Sequence, residues 1–467
     1  MINTDTLKTT IIDLAVSGKI SSGFDIKDSV TDIISVLPAI SNKRKNLLEQ
    51  KFEYGKQPLI PPHWKWTRLG EITTYGDTPT KACFDEIDSN TWLLDLEDIK
   101  TGGEVITKTR VQGKKFTGDK SVFRKDQVLY SKLRPYLKKV LVADEDGIST
   151  PELISFDVFG GIIPQYIVYC LLSTFTTKAI DKRSYGIKMP RVDAGFMVNL
   201  PIPLPPVSEQ QYIVARVQAA FAQIDTIDKL QAQYSNNLSA LKSKLVDLAV
   251  QGKLTKQLSE DGTAEDLYQR IQSEKQALIN QKIIKKDKDL PLIEEEERLF
   301  EIPKSWKWVH LGDLFQHNTG KALNSRDNQG ELFEYITTSN VYWDHFVLDN
   351  LKKMLFKSDE VEKCTVKQGD LLVCEGGDIG RAAIWPYEKE IRIQNHIHRL
   401  RGYNDEICAK FYYYILWLYK QTGRIDGVGI GLQGFSSNRV HSLVVPLAPY
   451  KEQLRIVEML DSLCSFL

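Results

Sequence analysis

The sequence has no pair of cysteines two residues apart, and its six cysteines (Cys83, Cys170, Cys364, Cys374, Cys408, Cys464) follow no regular spacing. That excludes a zinc ribbon or a disulfide framework and predicts buried free thiols in a reducing compartment. No apolar run approaches the roughly 20 residues of a membrane span. The start, Met1-Ile2-Asn3-Thr4-Asp5, has neither a basic leader nor an apolar stretch. A soluble, cytoplasmic protein with no membrane partner is expected. Net charge is lacking too, since 61 Lys and Arg balance 61 Asp and Glu, so the chain as a whole has no nucleic-acid binder's excess of cations.

The residue patterns of catalysis are also missing. There is no GxxxxGK[ST] phosphate loop, because Gly320-Lys321 is followed by Ala322 and the glycine spacing is wrong. No Asn/Asp-Pro-Pro-Tyr/Phe run is present to hold a base amino group for methyl transfer, and no Pro-Asp dipeptide opens a nuclease carboxylate cluster. The seven histidines do not fall at metal-ligand spacing. His396 and His398, two apart, read as surface or polar core. Gly427-Val428-Gly429-Ile430-Gly431 matches a phosphate loop in composition only, with no clear strand before it and no fitting helix start after it. A non-catalytic chain without metal or cofactor is expected.

What is present is repetition. Residues 60–70, IPPHWKWTRLG, match residues 302–312, IPKSWKWVHLG, at an offset of 242. Residues 203–214, PLPPVSEQQYIV, match residues 446–457, PLAPYKEQLRIV, at an offset of 243. A third pair, LKTTIIDLAVSGKI at 7–20 and LKSKLVDLAVQGKL at 241–254, has an offset of 234. It precedes the first module but follows the segment between the modules, so the order is that of a circle cut open. The N- and C-terminal segments are therefore expected to lie together and to imitate the uninterrupted central segment.

That central segment has neither Gly nor Pro from Ser208 to Gln251. Ile213, Val217, Ala220, Ile224, Ile227, Tyr234, Leu238, Leu241, Leu245 and Leu248 alternate by fours and threes, with Gln231 the one polar member, which is coiled-coil spacing. Ser208 and Gln211 have the form of a capping box after Pro205-Pro206. Such a helix spans roughly 65 Å at about 1.5 Å per residue. Beyond Gly252 and Gly262, Leu267, Ile271 and Leu278 mark a second helix able to fold back, and Ile33 and Leu37 hold the matching places near the N-terminus.

The modules read as mixed α+β. Short β-rich runs such as Gln127 to Tyr130 and Asp370 to Cys374 alternate with turn residues, while Tyr166 to Tyr169 and Phe411 to Tyr419 read as helical. Trp64, Trp66, Trp306 and Trp308 at the module openings read as packing residues rather than base-stacking ones. Between Lys100 and Val140 twelve cations face three anions, a local charge of +9, which is either a solvated face or a phosphate-binding stretch.

With the duplicated W-x-W-x-x-L-G opening, the duplicated P-[LI]-x-x-x-x-E-Q-x-x-I-V closing and the coiled coil between them, the chain resembles the specificity subunit of type I DNA restriction-modification systems over essentially its full length. Pro203, Pro206, Glu209, Gln210, Ile213 and Val214, echoed by Pro446, Pro449, Glu452, Gln453, Ile456 and Val457, carry the most specific part. The resemblance implies an α+β fold of two similar mixed α/β target-recognition domains, separated by long antiparallel coiled-coil helices in a pseudo-twofold, circular arrangement. The expected divisions are an N-terminal helical region 1–53, domain 54–205, a helical spacer 206–298, domain 299–447, and a C-terminal helix 448–467 that packs with the N-terminal region. It further implies a non-catalytic subunit whose domains each read half of a split double-stranded DNA site. In that family the spacer sets the gap and docks two methylation subunits, and a motor-nuclease subunit can join.

The candidate base readers lie just upstream of each closing motif, in Lys182 to Arg191 and in Gly429 to Arg439. They are Arg183, Tyr185, Lys188 and Arg191 in the first and Gln433, Ser436, Asn438 and Arg439 in the second. Lys114, Lys115, Lys132, Arg134, Lys321, Arg326 and Arg381 are candidate phosphate contacts. Two other readings stay open from sequence: a coiled-coil adaptor without a DNA role, and an unrecognised DNA-modifying enzyme.

Overall fold

The computed structural model describes the chain except for residues 83–86, 113–118, 187, 287–289, 324–328, 426–433 and 466–467. It divides into two compact units, Met1–Gln233 and Tyr234–Leu467.

In the first unit the opening motif becomes the strand Lys65–Arg68, which pairs antiparallel with the closing strand Pro201–Leu204, Trp66 opposite Pro203. The second unit repeats this with Lys307–His310 and Val444–Leu447, Trp308 opposite Pro446. A proline can sit in such a strand because a two-stranded pair leaves its missing N–H facing away from the ladder. Besides the short pair Val341–Tyr342 with His345–Phe346 in the second unit, two further sheets recur in both units among the described residues. One contains Val128–Ser131 between two antiparallel neighbours, matched in the second unit by Leu371–Cys374. The other contains one parallel pair, Trp92–Leu94 with Gly147–Ser149, matched by Glu331–Ile336 with Ile391–Ile393. The middles of the modules, divergent in sequence, thus share one topology.

The helices form as the sequence predicts, at Pro164–Leu172, Ala409–Gln421 and Ala264–Asn280. Leu267 and Ile271 are buried in the same core as Val246, Ala249 and Val250. The long helix runs from Val207 to Val250, 44 residues. It starts one residue before the expected cap. Ser208 is already inside it, and its N–H and hydroxyl both turn to the Asp28 carboxylate. Asp28, from a distant segment, satisfies the free first-turn donor that a local cap would have served.

The apolar stripe of that helix is buried at Ile213, Val217 and Ile224, but Tyr234 and Leu241 are 61% and 47% exposed, and toward the end the buried positions are Val246, Ala249 and Val250 in place of the half-buried Leu245 and Leu248. The N-terminal helix Thr4–Val16 lies along its first half, with Lys8 on Asp225 at 2.7 Å and Thr4 on Asp228 at 2.7 Å. Gln231, the polar member of the stripe, accepts from the N–H of Ile2 and donates to its carbonyl. It fixes where the N-terminal helix begins, a register role.

Among the described cysteines, Cys170, Cys364 and Cys374 are buried and unpaired. Burial pushes the Cys170 thiol up to about 12 and that of Cys374 to about 11, so both are inert packing groups. Among the described residues, no helix is long and apolar enough to cross a membrane.

Candidate nucleic-acid interface

The repeated motifs build a frame rather than a surface. Glu209, 2% exposed, stands in the first turn of the long helix and accepts from Trp64 Nε1 at 2.9 Å and Ser21 Oγ at 2.6 Å, with His63 Nε2 at 2.8 Å. Glu452, 1% exposed, repeats this in the C-terminal helix Tyr450–Ser465 with Trp306 Nε1 at 2.8 Å, Gln257 Nε2 at 2.8 Å and Thr255 Oγ1 at 3.1 Å. Three converging donors and the positive end of a helix make a buried carboxylate tolerable. Gln210 and Gln453 each accept from the N–H of the residue that caps an earlier helix of the same unit, Ile163 at 2.9 Å and Cys408 at 3.0 Å. The third repeat belongs to the same frame. Gly18 and Gly252 take left-handed backbone, and a Cβ there would lie 2.4 Å from Pro61 and 2.5 Å from Pro303. The opening tryptophans are packing residues, Trp64 and Trp306 buried, Trp66 against Phe175 and Trp308 against Phe300.

Much of the local +9 charge is neutralised by acids outside that stretch. Lys108 and Arg110 meet Asp144 and Glu145, Lys120 meets Asp95 at 2.7 Å, and Arg124 meets Asp157 at 3.0 Å. Lys139 donates to the Leu96 carbonyl, and burial lowers its pKa. Lys132, Arg134 and Lys138 make no ion pair among the described residues, and all three lie in the connection between Val128–Ser131 and Val140–Val142. Lys114 and Lys115 lie outside the described residues.

This connection adopts a costly backbone. Arg134 and Lys138 bracket one 3-10 turn, Pro135–Leu137, with φ of 49° and 51°, a conformation that costs a non-glycine residue about 1 kcal/mol. The second unit's corresponding connection, from Leu371–Cys374 to Ala382–Ile384, is one residue shorter and takes left-handed backbone at two glycines, Gly377 and Gly380 at φ 73° and 79°. Where the second unit has the easy residue, the first keeps two cations.

The structure also joins two segments that the sequence holds fifty residues apart. Arg134 N–H donates to the Pro190 carbonyl at 2.7 Å, Val192 N–H donates to the Lys132 carbonyl at 3.2 Å, and Leu133 bridges Arg191. Lys132 and Arg134 therefore share one face with the candidate segment 182–191. There Tyr185 is 58% exposed, Lys188 is exposed, and Arg191 is forked onto Glu152 at 3.1 and 3.2 Å. Arg183 lies over the Phe52 ring and 3.6 Å from Asp193.

The second unit differs. Lys321 is withdrawn from solvent, bonded to Glu360 at 2.7 Å and to the Leu355 carbonyl at 2.9 Å. Arg381 donates to the Thr338 carbonyl and covers Tyr342. Ser436 and Asn438 are exposed at the start of the short helix Ser437–His441, and Arg439 reaches the Ile425 carbonyl at 3.3 Å. Arg326 and Gln433 lie outside the described residues, as does Gly427 to Gly431. His396 is on the surface beside Glu375 at 3.3 Å, while His398 is fully buried. Sequence reading missed Glu375 because a search for cations passes over an acid.

His398 anchors this segment. Its Nε2–H donates to the Phe435 carbonyl at 2.6 Å, which leaves Nδ1 to accept from His317 Nε2–H at 2.8 Å. Burial lowers both pKa values, His317 to about 3, with His398, His441 and Arg399 adding repulsion. A folded pKa below the unfolded value near 6.5 means that the unfolded chain binds more protons between the two. Stability is thus intact above pH of about 6.5 and is lost as pH falls toward about 3, by at most about 1.4 kcal/mol per pH unit per group. Melting of the second unit should drop between pH of about 7.5 and about 5, and His317→Gln should flatten that dependence. An unchanged slope in the variant would contradict the assignment.

A duplicated frame that holds exposed loops of unlike chemistry is the build of a modular recognition protein. The family model described as type I restriction modification DNA specificity domain matches residues 61–234 and again 303–466, and the chain belongs to that family. The type I restriction enzyme EcoAI specificity subunit of Escherichia coli is 24% identical, across 98% of this chain and 88% of the relative. The EcoEI specificity subunit of Escherichia coli is 23% identical, across 97% and 88%. In fold, a chain from a structural study of assembly and conformational transition in the type I R-M system superposes with a TM-score of 0.63. It shares 19% identity and covers 86% of this chain and 90% of its own.

Proposed function

We propose that the chain is the sequence-reading subunit of a type I restriction-modification complex, in which residues 54–205 read one half of a two-part, asymmetric DNA site and residues 299–447 read the other. Recognition of DNA by two specificity domains follows from the family. The two-part, asymmetric character is supported by one observation above the rest: the corresponding strand connection carries Arg134 and Lys138 at positive φ in one unit and Gly377 and Gly380 in the other.

In this reading Lys132, Arg134 and Lys138 contact phosphates, which gives affinity without sequence information, while Arg183, Tyr185, Lys188 and Arg191 in the first unit and Ser436, Asn438 and Arg439 in the second approach base edges. Lys114, Lys115, Arg326 and Gln433, outside the described residues, remain candidate DNA contacts on their residue types alone. Lys321 and Arg381 brace the second module from inside. The spacer 206–298 sets the gap and docks two methylation subunits, and a motor-nuclease subunit joins the assembly in the cytoplasm. The chain supplies recognition and its partners supply the chemistry.

The test is Arg134→Gly with Lys138→Gly. Glycine relieves the left-handed strain, so melting should stay within about 1 kcal/mol of the parent. DNA affinity of the complex should fall for every sequence alike, with the salt dependence shallower by about 0.9 for each lost contact. An unchanged salt slope would remove these residues from the interface.

A further inference from the structure

The two units can be aligned through a single backbone hydrogen bond at the edge of the candidate interface. In the first unit Lys132 N–H donates to the Glu152 carbonyl at 3.0 Å; in the second, Glu375 N–H donates to the His396 carbonyl at 2.9 Å. The next bond agrees, since Val192 N–H donates to the Lys132 carbonyl and Phe435 N–H to the Glu375 carbonyl. Lys132 and Glu375 also each follow directly on the matched strands Val128–Ser131 and Leu371–Cys374. The positions 132 and 152 in one unit are therefore the positions 375 and 396 in the other. The frame is constant here, and the side chains exchange character, from lysine and glutamate to glutamate and histidine.

We infer that this pair of positions is a specificity-determining point of each unit: in the first, Glu152 aims Arg191 at a guanine, and in the second, Glu375 with His396 takes a base amino group. This inference rests on the reading of the two units as DNA readers. The chemistry follows from what each group can bond. Arg191 uses Nε and Nη2 on the Glu152 carboxylate, which fixes the guanidinium plane and leaves its outer N–H groups for the paired acceptors O6 and N7 that only guanine offers in the major groove. Both side chains remain partly exposed, 38% for Arg191 and 25% for Glu152. Glu375, 27% exposed beside a 54% exposed His396, is an acceptor in a turn whose Gly376 and Gly377 have no side chain to stand in its way. A carboxylate discriminates for the amino group of cytosine or adenine and repels guanine O6 and N7. A phosphate-contacting role is the wrong sign for an acid, so the exchange to Glu375 separates base reading from mere affinity.

Mapping of methylated bases in cells that express each variant with the methylation partner tests the inference. Arg191→Lys keeps the charge and loses the fork, and Glu375→Gln keeps the shape and adds a donor; the folded state of both is checked by melting of the purified chain. Arg191→Lys is expected to relax a single guanine position in one half of the modified motif by tenfold or more, and Glu375→Gln a single cytosine or adenine position in the other half. Glu152→Gln should relax the same guanine as Arg191→Lys. If the variants keep both half-motifs unchanged, or lose modification evenly over all positions, the inference is overturned while the DNA-reading role stands. If the parent chain itself directs no sequence-dependent methylation, the underlying reading fails.

Discussion

Glu452→Ala should destabilise the second unit by about 3 kcal/mol, more than any surface change in the protein. The substitution leaves the buried indole N–H of Trp306 without its acceptor, and an unsatisfied buried donor costs about 1 to 3 kcal/mol. It also empties the space of a side chain that is 1% exposed. For a unit of this size the melting temperature should fall by roughly 6 to 12 °C. Glu452→Gln, which keeps one acceptor oxygen, should lose about a third of that. Glu209→Ala should act in the same way on the first unit through Trp64. Differential scanning calorimetry of the full chain checks this, and a loss under about 1 kcal/mol for Glu452→Ala would contradict the frame described for both units.

Exchange of residues 54–205 for the corresponding module of another specificity subunit should replace one half of the modified sequence and leave the other half as it was. The physical basis is that each unit has its own cores and its own buried carboxylate frame. The graft's opening and closing strands pair with each other, and it meets the rest of its unit through the core shared with Ile12, Ala15, Ile33 and Ile213 and through the repeated bond from Trp64 to Glu209. The expected effect is large, because specific sites are favoured over nonspecific DNA by about 10³-fold or more. The old half-site should lose that preference and the new one gain it. A change in both halves would show that the modules do not read independently.

The frame was legible in the sequence because its chemistry leaves few substitutes. A buried indole N–H needs an acceptor, a buried carboxylate needs donors, and a glycine under a proline ring cannot gain a Cβ, so Trp64, Glu209 and Gly18 recur as Trp306, Glu452 and Gly252. The strand and helix positions of the modules were legible from alternation and aromatic runs. The shared topology of the middles was not, since a strand pair asks only for alternating apolar residues and many sequences supply them. The helix start at Val207 was misplaced by one residue because its cap comes from Asp28, which no local pattern announces. At the candidate interface, the basic stretch pointed to Lys132 and Arg134, but nothing in the spacing revealed that Asp144, Glu145, Asp95 and Asp157 pair with Lys108, Arg110, Lys120 and Arg124. Glu375 was invisible for a different reason: its meaning comes only from standing where the first unit has Lys132.

The most direct test of the central claim is a genome-wide map of methylated bases in cells carrying this chain with its methylation partner, against cells without it. A two-part, asymmetric motif with a fixed unread gap is the predicted result. A continuous motif, a palindrome, or no motif at all would contradict the account.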